Sequence, residues 1–208
     1  MKLMGRNAGH IAVHASLGSR DVDCCLIPEV PFFLDGPGGL FEFVEGRLKE
    51  NGHCVLVVAE GAGQEFLERA NKTSAEKDLS GNVALHDIGL WLGKRLKDWW
   101  KSKHPKELFA LKYIDPTYMI RAVPSNASDT EYCTLLAHSA LHGAMAGYTG
   151  FVAGLINGKF CYIPLEMVPN SQHVVDVTSH AWNWLKSVNN QPDFIVPSEE
   201  PLDNNQTT

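Results

Sequence analysis

Cysteine is scarce here and patterned for neither bridge nor metal. The 208-residue chain has five, an odd number, with Cys24 and Cys25 adjacent and no Cys-x-x-Cys pair. A disulfide framework and a zinc ribbon are both excluded by that spacing, and a reducing compartment is expected. Long apolar runs are missing too, since none reaches the ~18 residues of a membrane helix. The opening residues Met1-Lys-Leu-Met-Gly-Arg6 have neither the apolar core of a signal peptide nor the Arg/Ser character of a transit peptide. Charge is sparse and tilted negative: 20% of residues are charged and the formal net charge is -6. Nucleic acid is a poor partner for such a chain, because binding a polyanion rests on clustered Lys and Arg. The expectation is a soluble, cytoplasmic protein whose partners include no nucleic acid and no membrane. Any anion site in it must be local.

What is present is apolar patterning of the α/β kind. At 44% hydrophobic, the chain has enough material for one large domain or two small ones. Asp23-Cys-Cys-Leu-Ile27, closed by Pro28, and His53-Cys-Val-Leu-Val-Val-Ala59 are continuous apolar runs that read as buried parallel strands. Between them Leu40, Phe41, Phe43, Val44 and Leu48 fall at helical spacing among Glu42, Glu45, Arg47 and Lys49, and Asn51-Gly52 ends the helix. Lys2-Leu3-Met4 is expected to be the tail of a strand, turning at Gly5-Arg6 into a helix capped by Asn7. Later, Leu85, Ile88, Leu92, Leu96 and Trp99 make an apolar stripe opposite Lys94, Arg95, Lys97 and Lys101. Residues 71–81 are polar and read as a mobile surface loop.

Ser128-Asp-Thr-Glu131 has the form of a capping box opening a helix to about Tyr148, along which Ser139, Ala140, Gly143 and Gly147 imply close packing. His138 and His142 lie one turn apart with no obvious third ligand, so no metal site is expected. Two β-prone runs around Asn157-Gly158 predict a hairpin with a type I′ turn. From Pro192 onward the chain is polar, acidic and rich in Pro and Asn, and is expected to be disordered.

Three strand ends carry chemistry. The run Leu108, Phe109, Ala110, Leu111, Tyr113, Ile114 is expected to be a strand stopped by Asp115-Pro116, since proline has no N–H for the ladder. Lys112, Tyr118 and Arg121 crowd two cations and a phenol around its exit, and ligands of open α/β sheets bind at carboxyl ends of strands. A guanidinium fork and an ammonium suit a phosphate. Equally open from these residues is a plain connector, with Arg121 paired to a carboxylate and Tyr118 in the core. Arg6 sits where a strand is expected to meet a helix N-terminus, whose dipole and N–H groups favour an anion, although a solvated cation reads as well. Glu60, followed by Gly61-Ala-Gly63, suits hydrogen bonding to hydroxyls, with the two glycines admitting a ligand to the backbone; a turn cap is the other reading.

In that order and spacing, Lys-Leu-Met-Gly-Arg-Asn-Ala-Gly-His-Ile, Val-Ala-Glu-Gly-Ala-Gly-Gln and Lys-Tyr-Ile-Asp-Pro-Thr-Tyr-Met-Ile-Arg resemble the fructose 6-phosphate-binding half of 6-phosphofructokinases, most of all the plant ATP-dependent enzymes. The similarity runs to about Phe194. It implies that Met4, Gly5 and Arg6 form a sugar-phosphate turn, with Arg6 also catalytic beside the transferring phosphoryl group. By the same resemblance Glu60 accepts from sugar hydroxyls, Tyr118 and Arg121 hold the 6-phosphate with Met119 and Ile120 between them, and Lys112 stands where bacterial relatives have an arginine from another subunit. ATP and magnesium are implied as cofactors and a homo-oligomer as the assembly. The family's Gly-Gly-Asp-Gly-type nucleotide loop and its Thr-Ile-Asp-Asn-Asp-type segment do not occur here.

The expected fold is therefore an open, mostly parallel α/β sheet flanked by helices, phosphofructokinase-like. Residues 1–121 would be the fructose 6-phosphate-binding domain, 122–191 a helix and hairpin segment packing towards a nucleotide domain, and 192–208 a disordered tail. A Gly-Arg-Asn-Ala-Gly turn as early as residue 5 reads as a start in mid-domain, so the chain is expected to be a carboxyl-terminal part that binds the acceptor sugar and does not turn over alone. Pyrophosphate as donor, and a non-catalytic regulatory or oligomerisation module, are the alternatives.

Overall fold

The computed structural model describes residues 1–70, 81, 84–169 and 173–194, except the side chains of residues 69 and 70. The polar loop expected at 71–81 lies outside the described residues but for Gly81, and so does the tail beyond Phe194. Two compact units are formed, Met1–Thr117 with Val174–Thr208, and Tyr118–His173. The boundary thus falls four residues before the one expected at Arg121, and the chain from Val174 groups with the first unit.

In the first unit, β1 (Lys2–Leu3), β2 (Cys24–Leu26) and β3 (Leu56–Ala59) form a parallel sheet in the order β1-β3-β2, with Leu3 opposite Ala59 and Cys25 opposite Val57. Side chains alternate across it, which divides the apolar strand residues between two layers. On one face Cys24, Leu26 and Val58 pack with Leu40, Phe41 and Val44 of α2 (Leu40–Asn51), Leu67 of α3 (Gln64–Ala70), and Ile88, Leu92 and Leu96 of α4 (Ile88–Lys103). On the other, Cys25, Val57 and Ala59 pack with Ala12 and Val13 of α1 (His10–Ser19) and with Trp182 and Leu185 of the last helix, His180–Asn189. The expected α/β architecture is present, with a parallel sheet covered on both faces. Its free edge at β2 is closed by a side chain: Gln191 accepts from the Cys25 N–H at 2.7 Å and donates to the Cys25 carbonyl at 3.1 Å. That amide takes the place of a neighbouring strand.

Residues 108–114 depart from expectation. They are extended but form no strand, and the backbone bond that ties them to the sheet runs from the Lys2 N–H to the Ile114 carbonyl, 3.0 Å. With β1 only two residues long there is little ladder to join, so alternate side chains lock onto α4 instead. Phe109 stacks on Trp100 with centroids 4.9 Å apart, while Leu111 and Tyr113 fill notches at Gly93 and Gly89, where a Cβ would stand 3.3 Å and 2.3 Å from them.

The second unit contains α5 (Thr117–Arg121) from its second residue on, α6 (Ala127–Met145) and the antiparallel hairpin β4 (Phe151–Ile156) and β5 (Lys159–Pro164); the helix at His180–Asn189 is α7. Asn157 and Gly158 both have positive φ, 50° and 75°, as the type I′ turn requires. The N-cap of α6 is Asn126, which accepts from the Asp129 N–H at 2.8 Å, not Ser128. Of the small residues on α6, Gly143 does the close packing, since a Cβ there would stand 2.5 Å from the Phe151 ring and 3.0 Å from Tyr162.

Glu45 of α2 is buried. Hydrogen bonds from Lys103 (2.5 Å) and Lys49 (2.6 Å) hold its carboxyl at about 2 against the opposing effect of burial. A carboxyl whose pKa is depressed on folding adds stability that is complete above its unfolded value near ~4.3 and vanishes as pH falls through the folded one. Glu45→Gln is therefore expected to lower stability at neutral pH and to shrink the loss between about pH 4 and 2. Urea unfolding at a series of pH values measures this, and parallel pH curves for the two proteins would rule Glu45 out as the source.

Candidate functional site

At the exits of β1 and β3 two loops touch through their backbones. The Glu60 N–H donates to the Leu3 carbonyl at 2.9 Å, and the Gly61 N–H to the Gly5 carbonyl at 3.0 Å, so parallel pairing continues past the strands into the turns. A Cβ at Gly61 would stand 1.8 Å from the Arg6 carbonyl oxygen. Gly5 has φ 141°, and a Cβ there would stand 2.6 Å from the Ala8 carbonyl oxygen. Met4, Gly5, Arg6 and Glu60 thus share one place at the carboxyl edge of the sheet. The glycines after Glu60 serve a purpose other than the one expected. Gly61 admits the backbone of Arg6, and Gly63 admits the ring of Phe32, 2.8 Å from where its Cβ would be.

The helix after Arg6 starts later than expected. Its N-cap is Gly9, not Asn7, and the Gly9 N–H is taken by the Glu29 carboxylate at 3.0 and 3.2 Å. A Cβ at Gly9 would overlap Ile27, at 2.3 Å, which shows how closely the chain passes β2 and why Glu29 reaches it. Glu29 also accepts from the Val175 N–H at 2.7 Å, pinning the returning chain. At the α1 terminus the Gly9 amide is thus committed to a carboxylate of the chain itself.

Glu60 is half-buried, and its carbonyl accepts from Gln64 Nε2 at 2.6 Å; the same amide donates to the His86 carbonyl at 3.0 Å. Lys112 is exposed, on the side of its extended segment away from the residues that pack on α4. In the second unit Tyr118 is 84% exposed, Met119 61% exposed, and Arg121 is exposed without an ion pair among the described residues. Both supports of the connector reading, a core tyrosine and a paired arginine, are absent there.

Sequence reasoning missed the groups that hold Asp115. Lys2 Nζ lies 2.8 Å from its carboxylate and 3.3 Å from that of Asp87, to which the Tyr113 hydroxyl donates at 2.8 Å. Asp115 in turn accepts from the Thr117 N–H (3.2 Å) and hydroxyl (2.5 Å) at the start of α5. Hydrogen bonds from Lys2 and then Thr117 hold its carboxyl at about 2. Among the described residues, no three His, Cys, Asp or Glu side chains are placed to hold a metal ion.

Comparison with known proteins settles the lineage. The phosphofructokinase family model matches residues 1–144. The chain belongs to the phosphofructokinase family. It is 64% identical over 194 residues to ATP-dependent 6-phosphofructokinase 2 of Arabidopsis thaliana, covering 93% of this chain and 44% of that protein. Similarity extends to the ATP-dependent 6-phosphofructokinase of Borreliella burgdorferi, 41% identical over 198 residues, covering 92% and 43%. The fold is also that of a pyrophosphate-dependent phosphofructokinase from Marinobacter aquaeolei, 19% identical with TM-score 0.58, covering 98% of this chain and 49% of that one. The chain spans less than half the length of the curated relatives it matches.

The loop contact predicts a sharp stability effect. Gly61→Ala must push the Arg6 carbonyl aside and is expected to destabilise the fold by about 1–3 kcal/mol. Gly18→Ala, on the open side of α1 with nothing within 4 Å of the added carbon, is expected to be neutral or slightly stabilising. Urea midpoints of the two variants compare them directly, and equal midpoints would show that the Gly61 contact is not tight.

Proposed function

We propose that this chain is the acceptor-binding part of an ATP-dependent 6-phosphofructokinase, the enzyme that moves the γ-phosphoryl group of ATP to O1 of fructose 6-phosphate to give the 1,6-bisphosphate. The observation that carries the reading is the pair of touching loops that sets Arg6 beside Glu60 at the carboxyl edge of a parallel sheet in a chain of this family. Arg121 and Tyr118, exposed and without an ion pair among the described residues, grip the 6-phosphate: the guanidinium supplies a planar fork and the phenol a third donor. Glu60 accepts from hydroxyls of the sugar. Arg6 neutralises charge as the phosphoryl group moves, in line with a reaction that needs positioning and electrostatics more than covalent chemistry. Lys112 lends a further cation across an oligomer interface. ATP and magnesium supply the phosphoryl group and its charge neutralisation when bound, through residues this chain lacks.

ATP is preferred to pyrophosphate as donor because the relatives at 64% and 58% identity are named ATP-dependent, whereas the pyrophosphate-dependent neighbours are alike in fold alone. A cytoplasmic, allosterically regulated homo-oligomer acting in glycolysis is the setting this reading implies, with α6 and the hairpin packing towards a nucleotide domain. A second reading, a non-catalytic association module, draws on the exposed Leu141, Met145 and Tyr148 of the second unit. A chain that stays monomeric on size exclusion, alone and with a complete relative, would remove it.

Two measurements test the main reading. The purified chain mixed with MgATP and fructose 6-phosphate is expected to give no bisphosphate, and turnover would refute its being acceptor-binding only. By calorimetry it is expected to bind fructose 6-phosphate, and Arg121→Ala to weaken that binding by about 2 kcal/mol, roughly thirtyfold, as for a lost charge-assisted contact. Equal affinity before and after the change would show that the phosphate is held elsewhere.

A further inference from the structure

The helix α5 has no evident means of support. It is five residues long, buries none of them, and carries Tyr118 and Arg121. Isolated helices need ~12–15 residues to be even marginally stable in water, so neither propensity nor packing accounts for this one. What it does have is a fixed beginning. Asp115 accepts from both the N–H and the hydroxyl of Thr117, an Asx cap on the first residue, and Pro116 between them is buried.

The cap is itself held. Lys2, with a side chain only 14% exposed, stands between the carboxylates of Asp115 and Asp87. Asp87 is fixed three ways more, by the Leu90 N–H at 3.0 Å as the N-cap of α4 and by the Tyr113 hydroxyl at 2.8 and 3.0 Å to its two oxygens. Tyr113 is in turn seated in the Gly89 notch. Every polar member of the cluster is therefore satisfied, and it joins the first residue of β1, the head of α4 and the root of α5. Burial works against the Lys2 charge, but the bond to Asp115 and the charge of Asp87 outweigh it and keep the ammonium protonated. A lone exposed ion pair is worth little, whereas a satisfied network of this kind can specify a conformation.

We propose that Lys2, Asp87 and Asp115 are positioning residues for phosphate binding: they hold the turn at Asp115–Thr117 from which α5 begins, and so keep Tyr118 and Arg121 on a formed helical turn. The inference rests on the acceptor-binding reading above. Lys2 is also the first residue of β1, and Met4, Gly5 and Arg6 follow directly after that strand.

Hydrogen exchange on the free chain, with fructose 6-phosphate titration of the same proteins, tests it. Lys2→Met is expected to speed exchange of the Thr117, Ala122 and Val123 amides while leaving Val57 and Val58 of β3 slow, and to weaken binding about tenfold, the equivalent of one charge-assisted hydrogen bond. Lys2→Arg is expected to restore both, which a loss of general stability would not do. Should Lys2→Met fail to fold, Asp115→Asn, of equal size, gives the same comparison. Unchanged exchange at Thr117, Ala122 and Val123 overturns the proposal. So does Lys2→Met binding as tightly as the unaltered chain while Arg121→Ala does not, and in that case the functional reading stands. If the unaltered chain does not bind the sugar phosphate, the functional reading fails, and the exchange result alone decides whether the cluster fixes the turn.

Discussion

The Arg6 carbonyl lies so close to Gly61 that no side chain could stand between them, and the two strand exits are consequently one structure. Backbone pairing that begins as Leu3 opposite Ala59 continues through the Glu60 and Gly61 amides onto the Leu3 and Gly5 carbonyls. A cation from one loop and a carboxylate from the other are brought to one edge by main-chain bonds. Precision of this kind is what a site built on loops otherwise lacks, because loops move more than the elements they join. The sheet beneath has the matching property: its three strands bury apolar side chains on both faces, and its exposed edge at β2 is closed by Gln191. A rigid floor and a paired rim leave the side chains as the variable part.

Acidic residues do unexpected work in this negatively charged chain. Glu29 receives two backbone amides from distant segments, Asp23 receives the Val55 N–H and the Arg47 guanidinium, and Glu45 gathers Lys49, Lys103 and His104. All but the Lys49 pair, which lies within α2, tie segments distant in the chain. The same economy governs the thiols: burial pushes Cys25 up to about 11 and Cys54 up to about 12, so they behave as small apolar groups.

How much of this could be read from the residues follows from how local each determinant is. The helix at Leu40–Asn51 with its Gly52 end, and the Asn157-Gly158 turn, were legible because a few neighbouring side chains decide them. The parallel, two-faced sheet was legible for a related reason, since continuous apolar runs separated by helical stripes have few other solutions. The start of α1 was not, because it depends on Glu29 and on Ile27 crowding Gly9, both about twenty residues away. Residues 108–114 mimicked a strand because alternate residues do face a surface, but that surface is the notched side of α4. In the candidate site, the side chains expected to touch a ligand were singled out by their chemistry, while Lys2, Asp87 and Gln64, which hold the neighbouring backbone, gave no local sign.

The distribution of commitments also bears on what can bind. Lys2, Arg47, Lys49, Lys103 and Lys186 each meet a carboxylate, and the carboxylates they meet are thereby neutralised. Arg121 has no such partner among the described residues, although the chain carries six more negative than positive charges. Its neighbours are a phenol and two apolar side chains, all exposed on one short helix. An anion with an organic body satisfies all of them together: phosphate oxygens for the guanidinium and phenol, and a carbon skeleton for Met119 and Ile120. Bare polyanions such as nucleic acid would meet one cation at this helix where they need many. A small phosphorylated molecule is the ligand class that the proposed function assigns to this segment.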